Sequence, residues 1–187
     1  ELSGAAKERF AQIQERQAEL AQKFSENTLD ATDAYSYYAQ PHQMHGIPAD
    51  VQQTALAAAQ AEGKDGYKLT LKMPCYLPVM QFAQSGALRE TLYHAHVTRA
   101  SDQSSGDAAQ YDNTALIQEI LALRQEEAQL LGYPNFGEVS VAPKMASSAD
   151  EVITFLRDLA VRARPYAEKD VADLRAFAAA SLSLTEP

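Results

Sequence analysis

Residues 123–156 read LRQEEAQLLGYPNFGEVSVAPKMASSADEVITFL, and their punctuation decides the fold. Residues 123–131 have the apolar period of a helix nearing its end. Gly132 stands where a left-handed cap is needed, and Pro134 where a helix cannot continue. Asn135 with Glu138 three residues on has the spacing of a capping box, and Ser148 with Glu151 repeats it. Two helix starts follow, one covering 136–141 and one near Ala149. The stretch is careful helical architecture, yet it holds no evident nucleophile, base or metal cluster.

The same grammar extends in both directions. The helix before Gly132 starts about Thr114 and carries Leu116, Ile117, Ile120, Leu121, Leu123, Leu130 and Leu131. That arc is wide enough to predict a central helix. In the last helix Val152, Leu156, Leu159, Ala163 and Tyr166 share one side, and Leu174, Phe177 and Ala178 continue the pattern. Pro165 removes a backbone donor and predicts a kink or break there. Near the N-terminus, Phe10, Ile13, Leu20 and Phe24 mark one face of a helix running roughly over 5–38. A strict heptad would put Gln17 and Asn27 in its seam, so the pattern favours a helix packed on other helices over a coiled coil.

One place breaks the helical period. YSYYAQPHQMHGIP (35–48) is Tyr-rich and predicts an extended segment over 36–40. Pro48 then suits the first turn of a helix ending near Glu62, with Gly63 as its cap. In GYKLTLKM (66–73), Tyr67, Leu69, Leu71 and Met73 alternate with Lys68, Thr70 and Lys72, which predicts a strand. Pairing it with 36–40 gives a small ribbon that helices must cover, because two strands alone are marginal. Pro74 ends the strand. A short helix is predicted from near Leu77 and Pro78 to before Gly86, another over 87–99, and a polar loop over 101–113. The fold class expected is mainly α: a multi-helix array with a small two-stranded β ribbon.

Composition narrows the function. Of 187 residues 46% are apolar, enough for a substantial core, and the net charge is -9 with Lys and Arg scattered. No basic cluster offers itself to phosphate, which argues against a nucleic-acid partner. Cys75 is the one cysteine, so no internal disulfide forms, and a reducing, cytoplasmic setting is expected. No apolar run spans a bilayer. The chain begins at Glu1 and stops at Pro187 just after a helical pattern, and the expectation is a piece of a longer protein.

Each candidate for chemistry has a plainer structural reading. His94 and His96 lie two apart on a predicted helix, ~200° apart around its axis, and cannot grip one metal together. His94, four after Glu90, predicts a surface pair; His96, four after Leu92, a partly buried ring. His42 and His45 supply two metal ligands where zinc needs a third, and no Cys or carboxylate stands at a ligand spacing nearby. Cys75 reads as a buried, inert thiol. Asp102, Asp107 and Asp112 do not have calcium-loop spacing and read as loop solvation and caps. Tyr35, Tyr37 and Tyr38, without basic neighbours interleaved, read as core packing with hydroxyls at the edge. There is no phosphate-cradling glycine loop and no nucleophile elbow.

Several stretches together carry a resemblance: FSENTLDAT (24–32), GYKLTLKMPCYLPVM (66–80), ALRETLYHAHVTRASDQ (87–103), YDNTALIQEILALRQEEAQLLGYPNFGEVSVAPKMA (111–146) and RARPYAEKDVADLRAFA (162–178). In this order, over nearly the whole chain, they resemble the N-terminal part of the M3 metallopeptidases, the thimet-oligopeptidase-like family. The resemblance implies one segment, 1–187, of a larger helical clamshell peptidase, forming part of the wall of a channel that admits short peptides. It implies zinc in the parent enzyme, held by a His-Glu-x-x-His helix and a further glutamate. That motif is absent here, so no catalytic, cofactor-binding or metal residue is carried onto this sequence. The expectation is an inactive, zinc-free segment, with short peptide substrates reached only through the parent enzyme. Two alternatives stand beside it: a stand-alone helical interaction module, and a small metal protein built on His42 and His45. Apolar helix faces predict self-association of the isolated chain.

Overall fold

A computed structural model describes residues 2–104 and 106–182. The chain forms two compact units, one of Ser3–Leu123 and the other chiefly of Arg124–Pro187. The fold is mainly α, with helices α1 (Gly4–Ala34), α2 (Ala49–Ala61), α3 (Met73–Phe82), α4 (Gly86–Thr98), α5 (Thr114–Leu130), α6 (Phe136–Val141) and α7 (Ala149–Leu182). Strands β1 (Tyr37–Ala39) and β2 (Tyr67–Leu69) pair antiparallel with Tyr38 opposite Lys68.

In the first unit the ribbon turns Ala39 and Leu69 inward, and α2 lies against β2. Around them close Met44, Ile47, Leu71, Tyr76, Val79, Leu88 and Leu92, each buried. Burying a Leu, Ile or Met side chain contributes ~1.5–3 kcal/mol, so this cluster holds the ribbon that could not stand alone. Gly46 lets the chain pass close to α3: its φ is +87°, and a Cβ there would lie 2.2 Å from the Phe82 carbonyl oxygen. The adjoining His45 carbonyl accepts the Gln84 amide at 2.9 Å.

α1 buries Ile13, Leu20, Asn27 and Ala31, a seven-residue spacing that closes to four at its end. Asn27 does occupy the seam. Its Nδ2 donates to Asn113 Oδ1 at 2.9 Å, and Asn113 Nδ2 donates to the Phe24 carbonyl at 3.1 Å. These side-chain amide bonds fix α1 to the residue that precedes α5. On the surface Arg16 forms a fork with Glu119, at 2.6 and 3.0 Å.

In the second unit α5 ends in a Schellman turn. Gly132 has φ +81°, the Tyr133 amide donates to Ala128 at 2.8 Å, and the Gly132 amide donates to Gln129 at 3.1 Å. Arg124 lies 4.8 Å over the Phe136 ring. Asn135 Oδ1 accepts the Glu138 amide at 3.0 Å, and Ser148 Oγ accepts the Glu151 amide at 3.1 Å. The glutamates do not close the boxes as expected. Glu138 Oε1 accepts the Ala149 amide at 3.1 Å, and Glu151 takes the amide and hydroxyl of Ser147. Glu138 therefore ties α6 to the start of α7.

Five expectations need correction. The first helix ends at Ala34, not at residue 38, because the extended Tyr segment takes over. The strand predicted through Met73 stops at Leu69; Leu71 still faces the core, but Met73 is exposed and opens α3. The predicted helix start near Leu77 and Pro78 moves to Met73, since Pro74 suits a first turn, where no amide donor is used. α5 is less central than its arc implies, with Ile117 and Leu121 exposed. α7 does not break at Pro165, which lies inside one continuous helix. The loop over 101–113 also contains a 3-10 turn, Gly106–Tyr111.

Candidate functional site

The candidate residues are spread through the first unit rather than gathered. His42 lies in the 3-10 turn Pro41–Met44 and His45 just beyond it; both are exposed. Among the described residues, no three His, Cys, Asp or Glu side chains are grouped as a metal ion requires. The donors present therefore do not fit a zinc site.

His94 and His96 diverge around α4. His94 is exposed and lines a cavity of about 320 Å³; the ion pair expected with Glu90 does not form among the described contacts. His96 is half-buried and stacks on Tyr76, centroids 4.3 Å apart and planes 12° from parallel. Its Nε2 is shut off from solvent without a hydrogen-bond partner, as is Arg99 Nε. Burial, with the Arg99 charge second, pushes the His96 pKa below its ordinary value. Burial raises the Tyr76 phenol, with Tyr93 adding and Arg99 opposing.

The cavity runs between the end of α1 and the end of α4, with Tyr35, His94, Arg99 and Gln103 in its wall and Leu71 beneath. Among the described lining residues Arg99 is the only one formally charged at neutral pH. Its Nη1 is already given to the His96 carbonyl. The arrangement has room for small polar molecules, and no side-chain hydrogen bond joins a nucleophile to a base among its described lining residues.

The other candidates serve the fold. Cys75 sits in the first turn of α3, half-buried, its Sγ accepting the Thr70 amide at 3.3 Å. Asp112 Oδ1 accepts the Thr114 amide at 2.9 Å and hydroxyl at 2.7 Å, starting α5. Asp102 is exposed in a turn, and the side chain of Asp107 lies outside the described residues. Tyr35 and Tyr37 pack on the core. The Tyr38 hydroxyl donates to Glu62 at 2.5 Å, and Glu62 also accepts Lys68 Nζ. Lys68 first, then Tyr38, holds the Glu62 carboxyl below its usual range. The Tyr76–His96–Arg99 cluster escaped the sequence reading. Its one signal was the four-residue step from Leu92 to His96, which gave burial but not the ring it meets.

Residues 79–186 match the family model of Peptidase family M3, and this protein belongs to that family. It is 44% identical, over all its length, to oligopeptidase A of Salmonella typhimurium and to that of Escherichia coli. It is 41% identical over 95% of its length to the probable cytosolic oligopeptidase A of Arabidopsis thaliana. The chain spans about 28% of the length of the two bacterial relatives and 26% of the plant one.

Proposed function

We propose that this chain is the N-terminal, non-catalytic part of a cytoplasmic zinc metalloendopeptidase that hydrolyses short oligopeptides. The observation that carries this reading is the match of the entire chain to 28% of oligopeptidase A at 44% identity. In the whole enzyme, zinc would supply a polarised water for attack on the peptide bond, with ligands outside this sequence. No step is assigned to a residue of this chain. Its contribution is shape: a rigid wall that excludes folded proteins and admits short, extended peptides.

The test uses the purified 187-residue chain. Substoichiometric zinc by elemental analysis and no chelator-sensitive cleavage of a quenched fluorescent oligopeptide are expected. Zinc at one equivalent, or hydrolysis that EDTA abolishes, would overturn the assignment. A gene with no His-Glu-x-x-His codons beyond Pro187 would instead favour a stand-alone interaction module.

A further inference from the structure

Two polar atoms near the end of α4, His96 Nε2 and Arg99 Nε, are shut away with nothing to bond. The chain itself excludes solvent from both, so no outside group reaches them unless α4 moves first. A charged imidazole needs water or an acceptor at Nε2, and here it has neither. Its surroundings give no relief. Tyr76 of α3 stacks on the ring at 4.3 Å, and Arg99 opposes a second positive charge. Tyr93, on α4 itself, bears on Tyr76. Across the adjoining cavity stand Tyr35 and the exposed His94, and no carboxylate lines it among the described residues.

The turn that carries this ring also holds the next loop in place. Arg99 Nη1 donates to the His96 carbonyl. The Thr98 carbonyl accepts the hydroxyls of Ser101 at 2.6 Å and Ser104 at 2.8 Å. The Ala100 carbonyl accepts the Asn113 amide at 3.1 Å. Ala100 itself is buried with φ +53°, a left-handed conformation that alanine disfavours. A strained joint thus sits four residues beyond the stacked ring, kept closed by the packing around it.

We propose that the last turn of α4 is a proton-operated latch. With His96 uncharged, the ring stays on Tyr76 and the turn is held down. With His96 protonated, the turn lifts from α3 and takes the loop start at 101–104 with it. The cavity alongside has Ala95, Thr98, Arg99, Gln103 and Ser104 in its wall, so its shape follows the latch. The closed state holds the ring's pKa below its ordinary value, and the open state restores it to about 6.5. Opening is therefore favoured by up to about tenfold per pH unit below ~6.5, until the closed-state pKa is passed. The latch is independent of the peptidase reading.

Two measurements on the 187-residue chain test this. Imidazole nitrogen NMR of the wild type should give His96 a titration midpoint below ~6.5. Hydrogen exchange over 95–104, corrected for the pH dependence of the chemical step, should show about tenfold more opening at pH 5.5 than at pH 7.5. α2 should not share the change. His96→Phe keeps the stack and should abolish the rise. Arg99→Gln should reduce it without removing it, because burial is the larger cause. A wild-type midpoint at or above 6.5 would overturn the proposal, as would an equal rise in His96→Phe. So would a rise of the same size in α2, which would mean unfolding of the whole unit.

Discussion

His96 has an aromatic ring on one face and a cation nearby, and its buried nitrogen has no acceptor. A protonated imidazole there would add charge beside Arg99 without hydration. Its folded pKa is therefore below the ~6.5 of the unfolded chain. The sign follows: this contribution is complete above about pH 6.5, is lost as pH falls toward the folded pKa, and changes no further below it. Urea unfolding from pH 5 to 8 should show wild type losing stability in that window relative to His96→Phe, which keeps the stack but cannot titrate. Parallel pH profiles would refute the assignment. Glycines allow a second comparison at this scale. Gly46→Ala meets both a positive φ and the Phe82 carbonyl, and should cost about 2–4 kcal/mol. Gly132→Ala has the same backbone strain with open space around the Cβ, and should cost only ~1 kcal/mol. Equal losses in thermal or urea unfolding would contradict the steric account.

Elements are joined here by a few polar contacts as well as by packing. Asn27 and Asn113 serve each other and the Phe24 carbonyl, between α1 and the residue before α5. Asn113→Leu leaves the Asn27 amide buried without its acceptor and should destabilise by ~1–3 kcal/mol. Adding Asn27→Leu should return part of that loss, a coupling that a double-mutant cycle in urea would measure. Additive losses would show the two amides to be independent. Such contacts mark the limit of what the sequence discloses. Asn27 was visible as a polar intrusion in the α1 seam, but its partner lies 86 residues away, where no local pattern points. The end of β2 was hidden for another reason. Leu71 and Met73 continue the strand alternation, while Pro74 equally suits a first helical turn, and the helix took Met73. The caps at Gly132, Asn135 and Ser148 were legible because helix-end chemistry is local. The Tyr76–His96–Arg99 cluster was not, because it depends on how α3 and α4 meet.

For the whole molecule, burial is uneven. The first unit holds the cluster built on Leu69, Leu71, Val79, Leu88 and Leu92, all buried. α7 is exposed over most of its length. Opening free energies follow local burial, so hydrogen exchange should be slowest in α3 and α4. In dilute solution, exchange in α7 should be faster by orders of magnitude. Mass spectrometry of deuterated peptides would check this, and uniform protection would show that α7 has support of its own. Family membership was legible from the order of five stretches and is borne out by the match over residues 79–186. No site was carried over in the same way, because the His-Glu-x-x-His motif that the resemblance implies is absent from this sequence.

The amide clasp between Asn27 and Asn113 also sets a schedule for the growing polypeptide. α1 leaves the ribosome before α5, and the side chain that satisfies its buried amide is made 86 residues later. At ~5–20 residues per second that delay is roughly 4–17 s. Throughout it Ile13 and Leu20 stay uncovered on a helix still waiting for its neighbours, so this segment of the nascent chain is a natural handhold for a ribosome-associated chaperone.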